Sequence, residues 1–427
     1  MDKGMEQPLT FSPQQALDYA RNIAQPRRVG SEGEQAVATE IRNVLTGFGY
    51  RVEQQPFQFI AALHGWIRLE LVVGSLLILA IMMLRGISPW APILPAILLL
   101  SLIFLTNPLH RWIQSISLLP GVQPKDPPSV RLLSWLGPRF KSANIIASFP
   151  INSHDGAAPH LYLMAHYDSK SQSLPIPIRM LLFALFILGG FSTSTMTILS
   201  LLIPELGPLL PYFAWGSLLF GIPLIYMDVG NDSPGAIDNA SGVGMVLHLA
   251  ELLAKHQELI QHLHVTFLLT SAEEEGLMGA QAYVEMNETE LGRQALKGGL
   301  YVLNFDGIGT QGKLVLDKIP QKQTKNDSLG DWVQDICAEL NIPLGMFPSI
   351  GALMDHAPFA HHGLEAISLA TVGKAAWSVH TRRDTVGKLH PTGFEQAGHI
   401  ALELIQRLAH KEIPSPLKGE KRISESD

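Results

Sequence analysis

The sequence predicts an α/β domain whose mostly parallel mixed sheet is covered by helices on both faces, interrupted by two apolar helical hairpins. Short strand-like apolar runs alternate with helical patterns, which implies parallel strands joined by crossover helices. The 427 residues are 47% hydrophobic and only 16% charged, whereas a typical soluble domain is roughly a quarter charged. The excess grease is concentrated in two blocks instead of being spread along the chain.

In chain order, residues 13–23 and 32–45 carry helical apolar spacing and 50–59 alternate like a strand. The first block holds an aliphatic run at 71–84 and an uncharged run at 86–109. Counting from Trp66 adds Arg68 and Glu70, which suit headgroup depth. The second block, 180–227, is broken only by Glu205, and its halves 180–204 and 206–227 each reach the roughly 20 residues that cross a hydrocarbon core. The first 60 residues are polar and mixed, so neither block reads as a signal peptide. Further strand-like runs lie at 144–149, 161–165, 265–270, 300–305 and 366–371, with helical patterns at 241–255 and 330–340. These observations divide the chain into a catalytic-type domain in three parts (1–60, 116–175 with a Pro- and Lys-rich linker, and 228–412), hairpins at 61–115 and 176–227, and a charged, disordered tail at 413–427.

Composition also removes function classes. A single cysteine, Cys337, rules out a disulfide framework and a cysteine-built zinc site. A net charge of −7 without basic blocks argues against nucleic acid as a partner.

The chemistry lies just beyond the strands. His166 and Asp168 follow 161–165, Glu273, Glu274 and Glu275 follow 265–270, Asp306 follows 300–305, and His380 stands shortly after 366–371. Asp238 immediately precedes the helical pattern that begins near Ser241. Ligands of open α/β sheets bind beyond the carboxyl ends of the strands, so separate segments deliver carboxylates and imidazoles to one rim. Acids crowded without a cation would repel one another. Two imidazoles with several carboxylates suit zinc, and a carboxylate between two ions is the arrangement of co-catalytic hydrolases. His166 and Asp168 are two apart, which lets Asp168 accept the second ring N–H of His166 and orient it.

The segments Ala165-His-Tyr-Asp-Ser169, Gly235-Ala-Ile-Asp-Asn-Ala-Ser-Gly242, Ala272-Glu-Glu-Glu-Gly276, Asn304-Phe-Asp306 and Val379-His-Thr-Arg-Arg-Asp-Thr385 resemble, in this order, those of the co-catalytic di-zinc aminopeptidases. That superfamily also contains glutamate carboxypeptidase, transferrin receptor and glutaminyl cyclase. The resemblance implies the zinc aminopeptidase fold and a metallo-aminopeptidase that hydrolyses N-terminal residues from peptides. It implies two zinc ions bridged by Asp238, with Glu274 and His380 completing one site and His166 and Asp306 the other. Glu273 would be the general base acting on the water between the ions, and Asp168 the partner of His166. Asp355 matches a family position near the reaction centre.

Both apolar blocks interrupt this domain, so each is expected to cross a lipid bilayer an even number of times. The result would be a multi-pass protein with four membrane helices and its active site close to the bilayer surface. Arg68, Arg111, Lys170 and Arg179 flank the catalytic-domain side, against Arg85 and Glu205 on the far loops, which points to a cytoplasmic catalytic domain. The rival readings are a glutaminyl-peptide cyclase, since His166-Tyr-Asp-Ser-Lys170 and Asp355-His-Ala-Pro-Phe359 also resemble cyclase segments, and a catalytically silent membrane scaffold.

Overall fold

The computed structural model describes residues 10–119, 128–149, 158–319, 328–347 and 354–410. The 413–427 tail and most of the 120–128 linker lie outside them. The chain forms two compact units. The first comprises Met1–Phe57, Lys141–Ser171 and Asn231–Asp427, and the second Gln58–Phe140 and Gln172–Gly230.

The strands are β1 (Arg51–Ile60), β2 (Leu118–Leu119), β3 (Arg139–Ser148), β4 (His160–His166), β5 (Ser171–Gln172), β6 (Val229–Gly230), β7 (His264–Thr270), β8 (Leu300–Phe305), β9 (Lys313–Lys318), β10 (Leu344–Met346) and β11 (Glu365–Val372). Nine of them form one sheet in the order β10-β9-β11-β8-β4-β7-β3-β1-β2. Its centre, β7-β4-β8-β11, is parallel. Antiparallel pairings of β3 with β7 and of β9 with β11 lie on either side, so the sheet is more mixed than the strand–helix alternation suggested. The parallel centre arises where helices connect successive strands. The antiparallel pairs need no such crossover.

Alternate residues of each central strand enter different cores. From β4, Leu161, Leu163 and Ala165 join one cluster and Tyr162 and Met164 another. From β7, Val265, Phe267 and Leu269 part from Leu268 in the same way. Helices Pro13–Ile23, Glu32–Gly47, Ser241–Lys255, Leu329–Glu339 and Pro391–Ala409 supply the first cluster, whereas Met278–Lys297 and His356–His361 supply the second. A sheet buried on both faces needs apolar residues at every position, which is why these strands read as continuous apolar runs. Ser12 caps the first helix by accepting the Gln15 N–H. That helix packs so closely on Ser241–Lys255 that a Cβ on Gly244 would fall 2.4 Å from the Ala16 carbonyl oxygen.

In the second unit, four helices among the described residues are long and apolar enough to cross a membrane: Ala62–Arg85, Ile93–Ser117, Ile176–Leu199 and Pro204–Ile225. They pack through Leu71, Ile78, Leu99, Phe186, Ala214 and Leu224, while Leu76, Phe104, Leu188 and Leu219 point outward. The bounds of all four differ from the runs read in the sequence, 180–204 becoming Ile176–Leu199 and 206–227 becoming Pro204–Ile225. The first helix extends back to Ala62 through Arg68 and Glu70, because both charged side chains find partners. Trp66 Nε1 donates to Glu70 at 2.8 Å, His110 Nε2 lies 2.6 Å from its other oxygen, and Arg68 donates to the Met227 carbonyl. The second helix begins only after Pro92 and continues past His110 and Arg111 to Ser117. Pro89 and Pro92 keep the start of the uncharged run out of the helix.

Candidate metal centre

Because β4, β7, β8 and β11 are parallel, their carboxyl ends share one edge. His166 ends β4, the turn bearing Glu273 and Glu274 follows β7, and Asp306 follows β8. His380 arrives on the loop after β11 with φ +60, the left-handed region. Asp238 sits where the chain kinks out of helical geometry just before Ser241–Lys255, and its bond to Asn239 is cis. A Glu273–Gly276–Leu277 turn, closed by backbone bonds from both N–H groups to the Glu273 carbonyl, shapes the glutamate segment.

The predicted residues converge. The Nε2 atom of His166 lies 3.0 Å from Asp238 Oδ1, 3.7 Å from Asp306 Oδ1 and 3.9 Å from Glu273 Oε2. The other carboxylate oxygen of Asp238 lies 3.1 Å from His380 Nε2, which is also 2.9 Å from Glu274 Oε2. Two metal-type groups result: His166, Glu273 and Asp306, and Asp238, Glu274 and His380. One oxygen of Asp238 faces each group. Asp168 Oδ1 lies 3.4 Å from His166 Nδ1, and its two oxygens accept the Glu273 and Glu274 N–H groups at 3.2 Å each. It therefore orients the imidazole and the tandem glutamates together. Asp355 is buried beside them and accepts the Thr270 hydroxyl.

The electrostatics follow from burial and crowding. Burial, reinforced by Glu274, Asp306 and Asp355 and opposed by His166, holds the Glu273 carboxyl well above its ordinary range. Burial also pushes Asp355 up to about 7. Asp238 feels the same desolvation, but His166 and His380 outweigh it and hold its carboxyl well below the usual value.

These residues fit a pair of cations. His166 Nε2, Asp238 Oδ1 and Glu274 Oε1 are buried without a hydrogen-bond partner, a costly state for polar atoms in a protein interior. The distances from His166 Nε2 to Asp238 Oδ1 and Asp306 Oδ1, 3.0 and 3.7 Å, bracket the about 3.3 Å between ligand atoms of a tetrahedral zinc with bonds near 2.0–2.1 Å. The donors are nitrogen and oxygen only, as zinc accepts. His166, Asp306 and Asp238 would hold one ion, and Glu274, His380 and Asp238 the other.

Sequence reasoning missed several supporting residues and misplaced one. Lys170, read as a membrane-side flank, is buried with Nζ 3.0 Å from Glu274 Oε2 and 2.7 Å from the Glu274 carbonyl. Its position next to an apolar block suggested the flank, but the cluster of acids supplies the stronger partner. Asp384 accepts the Ile237 and Asp238 N–H groups and so fixes the segment that carries Asp238. Asn239 accepts from Gly242 N and Gly307 N and donates to the Phe305 carbonyl, tying that segment to the one bearing Asp306. Asp384 and Asn239 stand inside quoted segments, so their residue types were visible although their contacts were not.

The family description "Peptidase family M28" matches residues 144–405. Aminopeptidase YwaD of Bacillus subtilis (strain 168) is 26% identical over 207 residues, covering 46% of this chain and 42% of that protein's length. A zinc aminopeptidase from Bacillus subtilis superposes with a TM-score of 0.53 at 13% identity over 96% of this chain and 98% of its own. A glutaminyl cyclase from Porphyromonas gingivalis gives 0.51 at 15% identity over 95% and 100%. At such identities the superpositions establish the fold, a mixed α/β fold with a large sheet. The matched segment carries every predicted metal ligand and Glu273, and with the fold it shows that this chain belongs to peptidase family M28.

Proposed function

We propose that this chain is a membrane-embedded, two-zinc aminopeptidase that removes N-terminal residues from peptides. The observation that carries the reading is Asp238, whose two oxygens face His166 on one side and His380 on the other at 3.0 and 3.1 Å. Bound zinc would supply Lewis-acid polarisation of the scissile carbonyl and acidify water at the site. Glu273, standing beside His166 without being the nearest carboxylate to it, takes the proton from the attacking water and returns it to the leaving amine. Asp168 holds His166 and the backbone of Glu273 in register for that transfer. Lys170 and Asp384 keep Glu274 and Asp238 in place.

Aminopeptidase chemistry is expected to release free amino acids from unblocked peptides, to spare their N-acetylated counterparts, and to stop with a zinc chelator. Hydrolysis of blocked peptides alone would refute the exopeptidase assignment. The structural likeness to a glutaminyl cyclase supports a second reading, and loss of ammonia from an N-terminal glutaminyl peptide without hydrolysis would favour it.

The same proposal places the four apolar helices across a bilayer as two hairpins. The first unit is assembled from three chain segments, and one folded body occupies one side, so each insertion returns to the side it left. With Lys170 removed from the flanks, Arg68, Arg111 and Arg179 still favour a cytoplasmic first unit. Cys337 is buried, so introduced thiols report cleanly. Lys297→Cys is expected to react with an impermeant maleimide only in inverted vesicles, and Ser88→Cys and Ser200→Cys only from the opposite face. Release of the protein from membranes by alkaline carbonate would contradict embedding.

A further inference from the structure

We propose that Arg27 is a positioning residue for the metal centre, a clamp that holds the His166-bearing turn against the Asp238-bearing turn; this rests on the two-zinc reading above. Residues Gln172–Gly230, which belong to the second unit, separate the two turns along the chain. No short connection fixes the distance between them, so it must be set through space.

Arg27 spans that gap. Its side chain is fully buried, and its four hydrogen bonds all end on backbone carbonyls. The Nε atom donates to Tyr167 at 2.6 Å, between His166 and Asp168. The Nη1 atom donates to Pro234 at 2.6 Å and to Gln25 at 3.1 Å, and Nη2 to Gly235 at 2.8 Å, three residues before Asp238. A planar guanidinium fixes the angle between these bonds, which a single ammonium cannot do. The Ser169 hydroxyl works alongside it, accepting the Arg27 N–H at 3.2 Å and donating to the Ser233 carbonyl at 3.3 Å. Ser169 N–H in turn donates to the Arg27 carbonyl. Gly235 leaves the room required: it has φ +56, and a Cβ there would lie 2.6 Å from Ser169 Cβ and 2.9 Å from Arg27 Nη1.

The surroundings keep the group cationic. Burial lowers the guanidinium to about 10, a loss opposed by Asp384, Asp168, Asp238 and Glu274, so it stays protonated at neutral pH. Its charge faces the acids of the centre while its hydrogen bonds set their spacing. Residue 27 precedes the segment matched by the family description.

Zinc affinity, measured by chelator competition on the purified full chain, tests the clamp. Arg27→Lys keeps the charge but cannot grip both turns, and it is expected to bind zinc about 10–100-fold more weakly. Its activity should fall at limiting zinc and recover when free zinc is raised in the assay, a rescue that general destabilisation would not produce. Wild-type affinity in a folded Arg27→Lys overturns the clamp alone. Absence of zinc binding by the unmodified protein overturns the metal reading and the clamp with it. If Arg27→Lys does not fold, Ser169→Ala decides: weaker zinc binding supports the clamp, and an unchanged value overturns it.

Discussion

Glu273→Gln is expected to lower kcat about 10²–10⁴-fold with zinc content unchanged. Glutamine preserves the size of the side chain and the N–H that Asp168 accepts, yet its amide cannot take up a proton. Glu273 Oε2 is 3.9 Å from His166 Nε2, the longest of the three contacts that this nitrogen makes with the surrounding Asp238, Asp306 and Glu273 carboxylates. That spacing suits a carboxylate standing beside an ion better than one bound to it. Turnover and elemental analysis of the same preparation separate the two roles. Retained zinc with lost turnover supports the base. Loss of one zinc would make Glu273 a ligand instead, and full activity would remove it from the chemistry altogether.

Asp238→Ala is expected to reduce zinc from two ions per chain to at most one and to bring activity below detection. No other side chain in the cluster presents one oxygen to each imidazole, so its loss strips a charged ligand from both ions. Glu274→Gln serves as the comparison. It removes a ligand from the His380 side only and should leave the ion at His166 and Asp306 in place. Two tightly held zinc ions in Asp238→Ala, measured after dialysis, would show that the ions do not share this carboxylate.

The central strands were legible because both of their faces are buried, which forces apolar residues at every position. The edge was harder to read. At Leu344–Met346, β10 is three residues long and contains a glycine, too short for any periodicity to appear. In the helix Ala62–Arg85 the unbroken apolar run begins only at Leu71, and the sequence could carry it back to Trp66 only by admitting Arg68 and Glu70. They are tolerated through partners contributed by other helices, at His110 and beyond the last helix at Met227. Lys170 shows the opposite error: its sequence neighbours announce a membrane, but its spatial neighbour is Glu274.

The same distinction runs through the centre. Imidazoles and carboxylates that follow strand ends declare their chemistry by residue type, since the reactive atoms belong to the side chains themselves. The fold class could therefore be read from the linear chain, and the candidate ligands and proposed base could be named from the resemblance of their segments to a known family. Folding alone settled how the two oxygens of Asp238 divide between His166 and His380, and that Lys170, Asp384 and Arg27 steady them. Those supports act largely on backbone C=O groups, which every residue carries, and N–H groups, which all but proline carry, so the order of amino acids does not mark where such a contact will form.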